Sequence, residues 1–136
     1  MTPETVLFPE FPIILVDDEA QVLETERLGL EMSGISHVLI CSDSRQAQAL
    51  FERHPEGVAV IDLLMPHMDG RQLLELASRQ FPDLVVIVLT GVNDIASAVQ
   101  CVKMGAFDYL TKPVNLARLR QAIEAQLPTA PRPVRP

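Results

Sequence analysis

A chain of 136 residues, 48% of them hydrophobic, is long enough to bury one real core and too short for two comfortable domains. Its formal net charge of −7, with only 11 Lys and Arg scattered along it, argues against a nucleic-acid-binding surface, which needs clustered cations to meet phosphates. No apolar run approaches the roughly 18–20 residues that cross a bilayer, and the N-terminus lacks the segments of a secretory signal, so no membrane contact and a cytoplasmic location are expected.

Residues 1–11 read as an irregular lead-in, with prolines at 3, 9 and 12 in MTPETVLFPEFP. Five short runs rich in β-branched residues follow: PIILV (12–16), SHVLIC (36–41), GVAVI (57–61), LVVIVL (84–89) and AFDYLT (106–111). Several are continuously apolar, as in strands buried on both faces.

Helical periodicity fills the intervals. The first helix has Ala20, Leu23 and Leu30 as its expected inner face and Gly34 as its stop. The next four carry the stripes Ala47, Leu50, Phe51 and His54; Leu73, Leu76 and Ala77; Ile95, Ala98, Val99 and Val102; and Leu116, Leu119 and Ile123. Ser44, Asp69 and Asp94 are candidate helix caps. Residues 128–136, PTAPRPVRP, cannot continue a helix and read as a Pro-rich linker to a missing output domain; an aromatic groove could also read its PxxP spacings.

Strands alternating with helices require parallel pairing through right-handed crossovers. The expected fold is therefore an α/β doubly wound five-stranded parallel sheet with helices on both faces, spanning residues 12–127 in the flavodoxin-like order 2-1-3-4-5. Ligands of such sheets gather at the carboxyl ends of the strands. The first strand ends in Asp17 and Asp18, the third in Asp62, the fourth in Thr90 and the fifth in Lys112. The second, at an edge, lacks a counterpart.

Asp62 sits where VAVI meets the turn LLMPHMDG, and a carboxylate there loses hydration unless something compensates it. Three facing acids repel one another unless a divalent cation and an ammonium sit among them. A few hard oxygen ligands suit Mg²⁺. With the metal on one side and Lys112 on the other, an Asp62 oxygen could attack a phosphoryl group whose charge is neutralised. The Thr90 hydroxyl could donate to that group, and Gly91 leaves room for its entry.

The motifs LVDDE, VIDLLMPHMDG, VLTG and FDYLTKP, at successive strand ends and compatible spacing, resemble the receiver domain of bacterial response regulators. The resemblance implies that Asp62 accepts a phosphoryl group from a sensor histidine kinase. It implies Asp17, Asp18, Asp62 and the Leu64 backbone carbonyl as the Mg²⁺ site, Thr90 and Lys112 as phosphoryl contacts, and Tyr109 as the aromatic partner of a Thr90 switch. It also implies a cis Lys112–Pro113 peptide and a signalling domain that catalyses only its own phosphorylation and dephosphorylation. The output surface, and the face for a homodimer, would be the fourth helix, fifth strand and fifth helix. TGVNDIASAVQCVKMGAFDYLTKP is most similar to receivers of transcription activators, so transcription control through an attached domain is expected.

Plainer roles exist for single residues. Asp17 or Asp18 alone would be a helix N-terminal acid, Lys112 a solvated loop lysine, and Tyr109 a core aromatic with its hydroxyl outward. Cys41 and Cys101 lack metal-ligand spacing and read as small buried apolar residues; His37, His54 and His67 are dispersed. A metal-dependent phosphohydrolase would carry a second acid two residues after its nucleophile, where this chain has Leu64. An interaction module without phosphorylation would not need all five site residues. Leu64 and Val92, flanking the approach of hydrolytic water, are both apolar, which predicts slow loss of the phosphoryl group, over hours.

Overall fold

The computed structural model describes residues 12–65, 69–91 and 95–126. The lead-in, the Pro-rich segment, His67, Val92 and the candidate cap Asp94 lie outside the described residues. The elements alternate as β1 (Ile13–Val16), α1 (Ala20–Met32), β2 (Val38–Cys41), α2 (Ala47–Arg53), β3 (Val58–Asp62), α3 (Gly70–Gln80), β4 (Val85–Gly91), α4 (Ile95–Lys103), β5 (Asp108–Lys112) and α5 (Leu116–Glu124). All strand pairs are parallel, in the order β2-β1-β3-β4-β5.

Because side chains alternate along a strand, each apolar run feeds two cores. Ile13, Leu15, Val58, Val60, Ile87, Leu89 and Leu110 pack with Leu23 and Leu30 of α1 and with Leu119, Ala122 and Ile123 of α5. Ile14, Val16, Ala59, Ile61, Val86 and Val88 pack with Phe51 of α2, Leu73, Leu74 and Ala77 of α3 and Cys101 of α4. Cys41 and Cys101 are both buried, the packing role their isolation suggested.

Helix ends follow local chemistry. Asp69 caps α3 in a reciprocal capping box with Gln72, and Asn115 caps α5 through the Arg118 N–H. Gly34, at φ 107°, turns the chain after α1. Ser44 is not the cap expected of it. It is buried in a 3₁₀ turn (Ser44–Gln46) whose cap is Asp43, accepting from the Arg45 N–H.

Two inner faces also differ from the periodic reading. Ala20 is exposed, since it only opens α1 and the buried stripe runs through Leu23, Glu26 and Leu30. On α4, Ala98 and Cys101 face the sheet, while Ile95, Val99 and Val102 are exposed. Leu116 of α5 lies at the surface against Gly29 of α1.

Candidate functional site

Strand register assembles the site. Val16 pairs with Ile61, Asp62 with Leu89, and Gly91 with Lys112, so the ends of β1, β3, β4 and β5 stand side by side. Asp62 continues the parity of Val60, and Lys112 that of Leu110, toward the face covered by α1 and α5. Thr90 continues the parity of Val88, toward the other face.

Asp17 and Asp62 are buried and Asp18 is exposed. One carboxylate oxygen from each of the three lies within 4.8 Å of the others. Lys112 Nζ donates to Asp17 Oδ2 at 3.2 Å and to Asp62 Oδ2 at 3.1 Å. The other Asp62 oxygen accepts from the Leu64 N–H, and the other Asp17 oxygen from the Glu19 N–H. Asp17 thus also organises the entry to α1.

Burial pushes the Asp62 carboxyl above its ordinary value and the neighbouring Asp17 charge adds to this, against the opposing pull of Lys112. Burial depresses the Lys112 amine, but its hydrogen bond and attraction to Asp62, then Asp17, outweigh that and leave it raised. A pocket whose acids outnumber its one bound ammonium has room in its charge balance for a further cation. The oxygen-only donor set and the convergence of three carboxylates fit a hard divalent ion, with Asp17, Asp18 and Asp62 as the side chains that would hold it. Leu64 is 72% exposed.

Thr90 is 1% exposed, and its hydroxyl has no hydrogen-bond partner. A buried hydroxyl without a partner, at the end of the strand next to the one that ends in Asp62, is an unusual expense for a protein interior. Tyr109 pairs with Val88 and packs, partly buried, against the same core cluster, which puts it on the Thr90 face of the sheet. The Lys112–Pro113 peptide is cis.

Two contributors escaped the sequence reading. Gly70 lies so close to β3 that a Cβ there would stand 2.5 Å from the Asp62 carbonyl oxygen. Glu26, four per cent exposed on the inner face of α1, feels the charges of Asp17, Lys112 and Asp62. Its place in the Leu23–Leu30 stripe was the signal available.

The family model described as "Response regulator receiver domain" matches residues 13–124. The chain is 33% identical over 130 residues to the C4-dicarboxylate transport transcriptional regulatory protein DctD of Pseudomonas aeruginosa, covering 93% of this chain and 28% of that protein. It is 34% identical over 122 residues to the photosynthetic apparatus regulatory protein RegA of Cereibacter sphaeroides, covering 89% and 65%. A solved receiver-domain structure from Clostridium thermocellum superposes with a TM-score of 0.79 at 33% identity, covering 85% of this chain and 93% of that one. The chain therefore spans less than two thirds of these curated relatives.

Proposed function

The chain belongs to the response regulator receiver domain family, and from that premise we propose that it takes a phosphoryl group from a sensor histidine kinase onto Asp62 and relays the change to an attached output domain. The observation that carries this reading is the Lys112 ammonium bridging Asp17 and Asp62 at 3.2 and 3.1 Å, with the acid cluster of Asp17, Asp18 and Asp62 around it.

In the transfer, an Asp62 carboxylate oxygen forms the new P–O bond as the bond to the donor histidine nitrogen breaks, and the imidazole leaves with the electron pair. Phosphoryl transfer demands positioning and charge neutralisation more than covalent chemistry from the protein. The Leu64 N–H fixes one Asp62 oxygen. Lys112 meets the negative oxygens of the incoming group, and the unpaired Thr90 hydroxyl donates to one of them. Mg²⁺ held by Asp17, Asp18, Asp62 and the Leu64 carbonyl would supply the remaining charge neutralisation.

Once Thr90 is drawn toward the phosphoryl, Tyr109 on the same face gains space to turn inward, biasing a two-state equilibrium. The signal leaves through α4, β5 and α5. The exposed apolar stripe Ile95, Val99 and Val102 supports that face as the output surface and as the contact of a homodimer. Transcription control through the attached domain follows the transcriptional regulators among the relatives, and a cytoplasmic location follows from the kinase partner.

The test is to treat the purified chain with a small phosphodonor and Mg²⁺ and weigh it. The expected result is a stable gain of one phosphoryl group that vanishes in Asp62→Asn. Uptake unaltered in Asp62→Asn overturns the assignment, and release of phosphate in multiple turnovers would point to a hydrolase instead.

A further inference from the structure

We propose that the Arg71–Ser97 contact is a latch on α4, a bond between two side chains that holds the start of this helix in its resting place and that phosphorylation of Asp62 must overcome. The latch rests on the reading of Asp62 as phosphoacceptor and sets how readily the output face responds to it.

The helices α3 and α4 follow adjacent strands and cover the same face of the sheet, where Leu73, Leu74 and Ala77 of one and Cys101 of the other share a core cluster. Nη2 of the Arg71 guanidinium donates to the Ser97 hydroxyl. Arg71 lies in the first turn of α3 and Ser97 in the first turn of α4, so the bond joins the two helix starts at the end of the sheet where β3 and β4 finish. Local helix chemistry does not account for the arginine. A cation in the first turn meets the positive end of the helix dipole, and its partner is a neutral hydroxyl on another helix rather than an acid on its own.

The rest of α4 is lightly held. It buries Ala98 and Cys101, small side chains that remove little apolar area from water. Its far end has a second tie to α3, in which Ser78 Oγ donates to the Met104 carbonyl at 2.9 Å. There Gly105, at φ 120°, packs so closely that a Cβ on it would stand 2.5 Å from the same Ser78 oxygen. One end of the helix is thus tied through its backbone, and the other by a bond that rotation of two side chains can open.

That bond is also incompletely made. Arg71 Nε is buried without a hydrogen-bond partner, and an unpaired buried donor offsets part of what the bond to Ser97 contributes. The contact therefore resists motion of α4 without locking it. Its α3 side is fixed, because Gly70, the residue before Arg71, packs on the Asp62 and Leu63 backbone. Its α4 side belongs to the helix that follows β4, the strand that ends in Thr90 and Gly91. When Thr90 is drawn toward the phosphoryl group, the start of α4 is the part of the helix nearest in the chain to that displacement, and Arg71 opposes it.

The experiment titrates the chain with beryllofluoride in Mg²⁺ and follows the amide signals of α4 in wild type, Ser97→Ala, Arg71→Met and the double variant. Alanine suits a helix better than serine, so Ser97→Ala does not endanger α4. Gln80→Ala, which removes an exposed hydrogen bond from the other end of α3 to Gln48, is the control. Opening a latch on the resting state raises the fraction of the binding-competent state, and the apparent affinity for the mimic rises by the same factor.

Ser97→Ala should bind beryllofluoride about fivefold or more tightly than wild type, the factor for loss of one hydrogen bond, and its free α4 signals should move part of the way toward the bound positions. Arg71→Met removes a charge as well as the bond, so the double variant isolates the bond: once Arg71→Met is in place, Ser97→Ala should change the affinity no further. Gln80→Ala should match wild type. Equal or weaker binding by Ser97→Ala, or an effect of Ser97→Ala that is the same with and without Arg71→Met, would overturn the latch alone. Wild type that takes up no beryllofluoride would sink the phosphoacceptor reading and the latch with it.

Discussion

Gly70 packs directly on the backbone of Asp62. Its N–H donates to the Leu63 carbonyl at 3.0 Å, and a Cβ at position 70 would meet the Asp62 carbonyl oxygen and the Leu63 Cα, each at 2.5 Å. These are backbone atoms of the last residue of a central strand and of the residue after it, and cannot swing aside. Gly70→Ala should therefore cost about 1–3 kcal/mol, the range for overpacking, and slow phosphoryl uptake by displacing Asp62. Gly91, at the end of β4, has nothing within 4 Å of its would-be Cβ. Gly91→Ala should leave stability unchanged. Urea denaturation of the two variants side by side checks the contrast, and equal losses would contradict it.

Thr90 predicts a split between stability and signalling. Its buried hydroxyl has no partner, so Thr90→Val removes an unsatisfied polar group at nearly constant shape. Stability should stay within about 1 kcal/mol of wild type or rise. The response should suffer, because the hydroxyl that follows the phosphoryl is gone. Amide spectra of α4, β5 and α5 with and without a phosphoryl mimic should change in wild type and stay still in Thr90→Val.

The strand ends were legible because continuous apolar runs stop at acids, a threonine and a lysine, and the strand order of a doubly wound sheet makes four of those ends neighbours. The inner face of α4 was not. Ile95, Ala98, Val99, Cys101 and Val102 leave the helix apolar around most of its circumference, so periodicity alone cannot choose a face. Close packing chose the small Ala98 and Cys101 for the sheet and left the branched residues outside. Glu26 was passed over for the opposite reason. An acid in a helix reads as surface, and only the fold shows that this one is buried, within the influence of the Asp17 and Asp62 charges.

Glu26 also gives the fold a pH dependence with a definite sign. Its carboxyl rises from 4.5 to about 7 on folding, chiefly by burial, so the native state binds its proton more tightly than the unfolded chain does. That contribution is complete below the unfolded value and is lost as pH climbs through about 7. With divalent cations chelated, wild type and Glu26→Gln should be similarly stable near about pH 5. By about pH 8 the variant should be the more stable, by on the order of 2–3 kcal/mol. Denaturation curves at the two pH values test this, and a constant difference between the proteins would count against it.

Cation binding should show in stability before any phosphoryl is added. Asp17, Asp18 and Asp62 crowd within 4.8 Å, and Lys112 engages Asp17 and Asp62. Asp18→Asn should thus be at least as stable as wild type in chelator, because one repelling charge has gone. Mg²⁺ at ten times its dissociation constant should stabilise wild type by about 1.4 kcal/mol, reversibly. Asp18→Asn should gain much less. An equal gain in both proteins would place the ion elsewhere.

The lifetime of the phosphoryl group tests the mouth of the site. Leu64 is 72% exposed beside Asp62, and its side chain offers incoming water neither a donor nor an acceptor. Hydrolysis of an acyl phosphate needs a water held in line with the bond to Asp62, and without a side chain to orient it that arrangement is rare. The isolated domain should therefore hold its phosphoryl group for hours. Leu64→Asn places an amide where it can hold such a water without touching the buried core, and should shorten the half-life by about tenfold, below the range of full general acid–base assistance. Phosphate release after removal of the phosphodonor measures both rates. Loss within seconds from wild type, or an unchanged half-life in Leu64→Asn, would show that this position does not govern access to the phosphoryl group.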